Sequence, residues 1–583
     1  MLGHSPASER QITRVQWLLP FLLYLLHSAL FAAWVVDDAG ISYAYARNLA
    51  FGHGLVAQPG AAPVEGYSNF LWVVLLAPFF ALRLFHPIIT PKVISVLIVL
   101  GTFVLVDRAL RVYRESSRLV TFLVLTSLAL NTTFVVWTVS GLETALYVLL
   151  IFLLFFECLK AVVSHSFTPR TAILCGIISG AIAMTRPEGC LYLVAYPLVW
   201  CIGLSSPRDA LRRRALANPA LFALVFLAAY GGFLLFRVLY FHDLFPNAYY
   251  AKGGPGVRDW FTVGLLLPQA MQKLLFLMMR TVAGPLGTFV FLGLVVVTAY
   301  VVFARAFRRE HAVLLVFLGL TMAGYLLLPV NSLGGFRYGT PVLIFLYLYA
   351  AVICCAALHD SGWSPDFKRR LVVAGLTIYF LGGVAMFGFL SLRFARNPVV
   401  PFSWGAERYG ARFNHYQDVC GLRNASLLLP DLGGSLYASR LRLYDLGCLC
   451  DKEMPRAMAQ GPAAVHEYVF ERLKPTFIVA HGPWSLAARF DTDPRFRQEY
   501  VPIYEYVDRN WQPADGAQGG LRVHSGEFVR RDVLKGKPAL LNELRACARK
   551  DNALVAAKWP SMAWATGASE GVIWDSPASA QSQ

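Results

Sequence analysis

Two adjacent carboxylates, Asp37 and Asp38, close the first apolar run of the chain and open a polar stretch with no long apolar face. A carboxylate at a bilayer boundary costs about 3 kcal/mol even on lenient insertion scales, so its presence there asks for a use. Such a group can take a proton from an attacking hydroxyl, and two side by side push one pKa up. The same pair could hold a divalent metal that neutralises a leaving phosphate. Residue type leaves both roles open, and leaves open which aspartate is the base. The plain alternative is a pair of solvated carboxylates marking a helix end.

The first outer loop, residues 37–90, also supplies Tyr43, Arg47, Glu65, Tyr67 and Asn69, groups suited to a polar substrate. Four more polar interruptions punctuate the apolar chain. Ser140-Gly-Leu-Glu143 opens an apolar run, where a helix N-terminus favours a carboxylate, so capping competes with a substrate role for Glu143. Thr185-Arg186-Pro187-Glu188-Gly189 breaks the run from 171 to 205 into two short helices, and irregular backbone at membrane depth survives only where it lines a cavity. Arg186 can pair with Glu188, yet a bare buried pair adds little stability, and a guanidinium facing a phosphate would offset its cost. The stretch from Tyr240 to Lys252 carries His242, Asn247 and Lys252 among aromatics that also suit a membrane interface. Gly334-Gly335-Phe336-Arg337-Tyr338 opens a late run. Arg186, Lys252 and Arg337 are thus three separated cations for a donor phosphate, with Glu188, His242 and Asn247 as further substrate contacts.

These residues belong to a chain of 583 residues that is 57 % hydrophobic and only 15 % charged, with mean hydropathy +0.52. A soluble domain carries nearer ~25 % charged residues. Apolar runs of about twenty residues recur as far as residue 394, the pattern of a polytopic α-helical membrane protein. A net charge of +17 would suit nucleic acid in a soluble protein. Here the basic residues cluster in short loops between apolar runs and set topology, so no nucleic-acid partner is expected. Helices are expected at about 17–36, 91–110, 119–138, 143–163, 219–241, 283–304, 312–330, 340–358 and 371–394. The first, without a small-residue cleavage site after its core, reads as an uncleaved helix. Five basic loops, around Arg108–Arg118, Lys160–Arg170, Arg208–Arg214, Arg305–Arg309 and Lys368–Arg370, should all be cytoplasmic. That holds only if 70–83 lies along the outer membrane face, which gives about eleven spans with the N-terminus inside and the C-terminus outside. On this count all five polar interruptions face outward, although none of them enters it.

Beyond 394 the apolar runs stop, and residues 395–583 read as one small α/β domain outside the cytoplasm. Its β-rich runs are Leu427–Leu429, Leu441–Tyr444, Thr476–Val479, Tyr504–Val507 and Glu527–Val529, with a helix-like piece at 463–473. Residues 551–583 fade into Ala, Ser and Gly and are expected to be poorly ordered. Six cysteines lie in apolar runs and read as small hydrophobes. Cys420, Cys448, Cys450 and Cys547 could form one or two disulfides, with three pairings open. Cys448-Leu-Cys450 lacks the two-residue spacer of a zinc ligand pair.

Taken in order, Asp37-Asp38, Arg47-Asn48, Gly52-His-Gly-Leu55, Val64-Glu-Gly-Tyr-Ser-Asn-Phe-Leu-Trp72, Ser140-Gly-Leu-Glu143, Arg186-Pro-Glu188 and Leu244-Phe-Pro-Asn247 resemble the GT-C superfamily of membrane glycosyltransferases. The branch most similar is that of the terminal arabinofuranosyltransferases, and Tyr444-Asp-Leu-Gly447 with Lys474-Pro-Thr-Phe-Ile-Val479 extends the likeness past the membrane part. Phe336 after Gly334-Gly335 departs from it, since related proteins often carry Asp there, and Cys448 and Cys450 are also unusual. The resemblance implies an inverting transfer of a sugar, arabinofuranose in that branch. The donor would be a polyprenyl-phosphate carrier and the acceptor a glycan or lipid on the outer face of a bacterial cytoplasmic membrane. It carries the base to Asp37 or Asp38; a divalent metal, if used, would sit on the same two residues.

Two other classes fit part of the chain. Broken helices with polar residues are typical of transporters and flippases, but those usually show two matching halves, and there is no second Asp-Asp loop. A non-catalytic glycan-binding scaffold leaves Asp37, Asp38 and Arg186 without a role.

Overall fold

The computed structural model describes residues 6–113, 117–204, 216–251, 270–275, 286–328, 337–507, 524–560 and 562. Apolar helices dominate up to Arg396, and the expected ones appear within a few residues, with two informative exceptions. The first helix, Pro6–Ala29, stops well before residue 36. Val36 is instead extended: it bridges Pro401, and its N–H donates to the Ser140 carbonyl at 3.0 Å. The run expected at 119–138 is two helices, Arg118–Leu130 and Thr132–Thr138, bent by 67°. Asn131 makes that break, accepting from the Phe134 N–H at 3.0 Å and donating to the Tyr347 hydroxyl at 2.9 Å.

The run 171–205 divides as expected, into Pro169–Thr185, a 3-10 turn Pro187–Val194 and Ala195–Gly203. Among the described residues five helices are long and apolar enough to cross a membrane, or six if the bent pair is one span. Trp17–Ala29, Phe70–Ala81, Pro169–Thr185 and Val290–Phe303 are further apolar helices below that length among the described residues. Phe70–Ala81 is a separate apolar helix of 12 residues. At 1.5 Å per residue it reaches about 18 Å, well short of a ~30 Å hydrocarbon core.

The bundle has two different ends. At one, the Tyr113 hydroxyl donates to the Glu310 carbonyl and Arg309 reaches the Gly203 carbonyl, so the basic loops around Arg108–Arg118 and Arg305–Arg309 meet there. At the other, the polar interruptions meet.

The C-terminal region is built on a five-stranded mixed sheet in the order β2-β1-β3-β5-β4. Its strands are β1 (Ser426–Leu429), β2 (Arg442–Asp445), β3 (Phe477–Ala480), β4 (Tyr500–Val507) and β5 (His524–Arg530). Each coincides with one of the β-rich runs. Side chains alternate between two apolar layers, as the two-residue period of a strand requires. Leu427, Leu429, Phe477, Val479 and Val529 join the large core shared with the bundle. Leu428, Ile478 and Phe528 join a second core with Phe470, Phe496 and Tyr500. The helix Leu540–Lys558 covers part of the first layer and runs into the stretch expected to lose order at 551, because Leu544, Ala548 and Val555 are buried along one of its faces. Residues 563–583 lie outside the described ones.

An ionic core fixes this region. Glu527 is fully buried, 2.5 Å from Arg408 and 2.8 Å from Arg412, and it accepts from the Tyr416 hydroxyl at 3.1 Å. All ten cysteines are free, so the expected disulfides are not formed. The four thiols outside the apolar runs face different partners: Cys547 lies 3.5 Å from the His415 ring, and Cys450 faces Gly66 and the Tyr45 hydroxyl.

The sheet region grips the first loop at two points. The Gln58 side chain pairs with the edge strand like a short strand of its own, its Nε2 donating to the Leu441 carbonyl and its Oε1 accepting from the Leu443 N–H, both at 3.0 Å. The helix Gly433–Ala438 packs on the helix Ala39–Ala50 so closely that a Cβ on Gly433 would lie 2.0 Å from the Asp37 carbonyl oxygen. Overpacking of this kind costs about 1–3 kcal/mol. We therefore expect Gly433→Ala to lower stability by about that amount and to raise amide exchange across 34–40. Gly231→Ala, at a helical glycine with nothing near the added methyl, should show neither effect.

Candidate functional site

One carboxylate organises the end of the bundle where the polar interruptions meet. Glu143 sits just before the helix Thr144–Val163 and is fully buried. Its Oε1 lies 2.5 Å from Arg186 Nη1 and 3.0 Å from Arg337 Nη2. Its Oε2 accepts from Asn69 Nδ2 at 2.8 Å, and Ser42 donates to Asn69 Oδ1. Arg186 also pairs with Glu188 and stacks over the Tyr338 ring at 4.7 Å. Two guanidiniums and two carboxylates therefore balance. Burial pushes the Glu143 carboxyl up, but Arg337, Arg186 and the Asn69 hydrogen bond more than reverse this and hold it at about 2. Capping does not explain Glu143, since its side chain makes no cap hydrogen bond. Arg337 keeps one donor in hand, its buried Nε, which has no partner among the described residues.

Asp37 and Asp38 occupy different environments. Asp37 is 5 % exposed and enclosed by backbone: a Cβ on Gly405 or Gly433 would lie 2.2 or 2.3 Å from its carboxylate oxygens. The Gly434 N–H donates to Asp37 Oδ1 at 2.7 Å. Burial and the nearby Asp431 raise the Asp37 carboxyl well above the usual range. Asp38 is only half-buried, at the start of the helix Ala39–Ala50, and its side chain does not cap that helix. Among the described residues no three His, Cys, Asp or Glu side chains are placed to hold a metal. With Asp37 closed in by glycine backbone, the pair does not fit a divalent ion.

A second buried pair lies nearby. Glu65 Oε2 is 2.6 Å from Arg237 Nε, and burial pushes its carboxyl up to about 7 while Arg237 pulls it back. Tyr67 is buried beside it, stacked edge-on against Tyr45, with a hydroxyl that has no partner among the described residues. Asn247 N–H donates to the Glu65 carbonyl, and its side chain donates to the carbonyls of Cys448, Leu449 and Asp451. Asn247 is thus a stitch between the first loop and the sheet region. Tyr43 packs against Phe85 and Phe402 and donates to the Gly141 carbonyl. Arg47 lies farther along its helix, against Tyr437. His242 is exposed and ends the helix Ala217–Phe241 at φ 56°, away from the cluster. Lys252 and Gly334–Phe336 lie outside the described residues.

Two features escaped the sequence reading. Lys92, in the first turn of the helix Ile89–Leu110, donates to the carbonyls of Phe31 and Val139, next to the cluster and with no carboxylate partner among the described residues. The signal was a lysine at the same end of an apolar run as Arg337. Asp431 and His481, 2.8 Å apart, come from the sheet region and stand beside Asp37. Nothing in their spacing to Asp37 announces that.

No family model matches the chain, and no curated protein matches its sequence. Solved structures do resemble it. ArnT from Cupriavidus metallidurans, bound to undecaprenyl phosphate, is 13 % identical with a TM-score of 0.52, over 89 % of this chain and 98 % of that one. The Archaeoglobus fulgidus oligosaccharyltransferase, in complex with zinc and sulfate, is 12 % identical with a TM-score of 0.50, over 85 % of this chain and 72 % of that one. At such identities the likeness is one of fold alone.

Glu143→Gln removes the shared negative charge and leaves Arg337 buried without a carboxylate. Breaking a buried pair in this way costs about 3–5 kcal/mol, which should appear as a lowered melting temperature in detergent. Glu65 makes stability depend on pH. A carboxyl raised from 4.5 to about 7 gives the folded state the greater proton affinity, so its contribution is full below about pH 4.5 and is lost as pH rises through 7. Melts at stepped pH should show wild type losing up to about 3 kcal/mol relative to Glu65→Gln across that window, and no change on either side of it.

Proposed function

We propose that this chain is an inverting glycosyltransferase that moves a sugar from a polyprenyl-phosphate carrier to a glycan or lipid acceptor on the outer face of the bacterial cytoplasmic membrane. The observation that carries the reading is the convergence at one bundle end: Asp38 half-open, Glu143 holding Arg186 and Arg337, and Lys92 beside them. They do so in a fold shared with ArnT, whose structure holds undecaprenyl phosphate. Residues 1–394 form the membrane-embedded catalytic part, with about eleven spans and the N-terminus inside. Residues 395–583 form the outward domain. The first-loop resemblance puts arabinofuranose among the candidate sugars, and Phe336 in place of the branch's usual Asp leaves the donor sugar open.

Asp38 is the base. Its carboxylate takes the proton from the acceptor hydroxyl, and the oxygen attacks the anomeric carbon. The bond from that carbon to the phosphate oxygen breaks, and its electron pair leaves on the phosphate. Asp37 cannot do this from within its glycine enclosure; it positions Asp38 by anchoring the segment to Gly434. On the leaving side, charge grows on the phosphate as the bond lengthens, so fixed cations there hold the transition state more strongly than the ground state. The unused Nε of Arg337 and the ammonium of Lys92 supply it. Arg186, with its carboxylates on both sides, acts by orienting Glu143.

The test is a transfer assay in lipid discs with a panel of labelled polyprenyl-phosphate sugars and acceptors extracted from the cell envelope. Asp38→Asn should cost about 10²–10⁴-fold in rate, the usual worth of a general base, without loss of the fold. Asp37→Asn should lose less rate and more stability. Saturable donor binding with no transfer from any donor, or full activity in Asp38→Asn, would sink the reading.

A further inference from the structure

A cavity of about 400 Å³ opens between the first loop and the sheet region. Its lining includes Arg47, Arg423, Arg440 and Arg442, with Gln58 and Asn424, and no acidic residue. Gathering four guanidiniums around one hollow is unfavourable by mutual repulsion unless something answers their charge. Arg440 is answered in part by Asp418, 2.6 Å away and outside the lining. Arg47 is not answered by a carboxylate among the described residues. Its Nη1 donates to the Tyr437 carbonyl at 2.8 Å and its guanidinium lies over the Tyr437 ring at 5.1 Å, two neutral partners that aim it without cancelling its charge. Arg423 and Arg442 are exposed at the rim.

The hollow is built rather than incidental. Gln58 fastens one wall to the other through the Leu441 carbonyl and the Leu443 N–H, and Arg442 begins β2, where the buried Leu443 fixes which side Arg442 takes. Planar guanidiniums in such an array suit a carboxylate or phosphate taken by paired N–H bonds. The position is also informative. Arg47 and Asp38 lie on one helix, and nine residues at 1.5 Å each set them about 13 Å apart. A chain whose end reaches Asp38 can lay a later unit here.

We propose that this basic pocket is a recognition subsite for an anionic group, a uronate carboxylate or a phosphate, carried on the acceptor glycan behind its reacting end. Assignment to the acceptor rests on the transferase reading; the anion site itself rests on the pocket. The site selects acceptors by charge, while Asp38 meets the hydroxyl.

The full chain in discs of zwitterionic lipid should be titrated with tetragalacturonate, with neutral maltotetraose as control, by calorimetry. Saturable binding of the acidic oligosaccharide alone is expected. It should weaken at least tenfold in Arg423→Glu/Arg442→Glu, weaken less in Arg442→Lys, and persist in Asp38→Asn. Unchanged melting curves will show that the variants fold. Inorganic phosphate should compete. Equal binding of the neutral sugar, or affinity indifferent to the charge reversal, overturns the proposal. Loss of binding on adding phosphatidylglycerol to the discs, with no effect of maltotetraose or phosphate, assigns the pocket to a lipid headgroup and overturns it too. Because binding is read without turnover, failure of the transfer assay with binding intact removes the reaction and leaves the subsite. The converse removes the subsite and leaves the reaction.

Discussion

The Glu143 carboxylate is the constraint on which the polar end of the bundle depends. A lone carboxylate buried this deeply would be too costly to keep charged. It stays charged because Arg186 and Arg337 reach it from two other segments and Asn69 from a third. Chain breaks that would otherwise be liabilities in an apolar bundle thereby acquire fixed positions. The Asp37–Asp38 segment hangs on the same frame, through the Val36 N–H to the carbonyl of Ser140, three residues before Glu143. Asp38 and the Arg186–Arg337 cations are therefore set by one network, and the distance between them cannot drift independently.

Asp37 and Asp38 show how a single residue step divides structure from chemistry. The extended backbone at Val36 points the Asp37 side chain into the contact with Gly405, Gly433 and Gly434, and the helix that starts after Asp38 leaves the next carboxylate half-buried. The buried member joins the bundle to the sheet region. A carboxyl held well above its usual range by burial and by Asp431 is a poor acceptor of further charge and a good internal hinge pin.

Much of this was legible in the sequence, and the rest failed for identifiable reasons. Helices and strands followed the apolar runs, and in the sheet the inner strands β1 and β3 are buried on both faces and almost wholly apolar. The segments Asp37–Asn69, Ser140–Glu143, Arg186–Glu188 and Arg337 were each legible as polar breaks in apolar surroundings, and charge counting put them on one side. Their meeting at Glu143 was not, since capping was an equally good local account. The break at Asn131 was missed because Thr132 and Thr133 interrupt hydropathy only weakly. Lys92 was passed over as part of a span. The Arg408–Arg412–Glu527 core and the Asp431–His481 pair were invisible because each joins residues far apart in sequence. The disulfides were inferred from compartment and count, which say nothing about where thiols point.

The hydrogen bond from Gly434 to Asp37 joins residues 397 positions apart. Chains lengthen at roughly 5–20 residues per second, so the first loop waits on the order of 20–80 s for the backbone that encloses it. Through that interval the helices can already be in the bilayer while Asp37 still faces water. The Asp37 enclosure therefore cannot close until at least 434 of the 583 residues have been made.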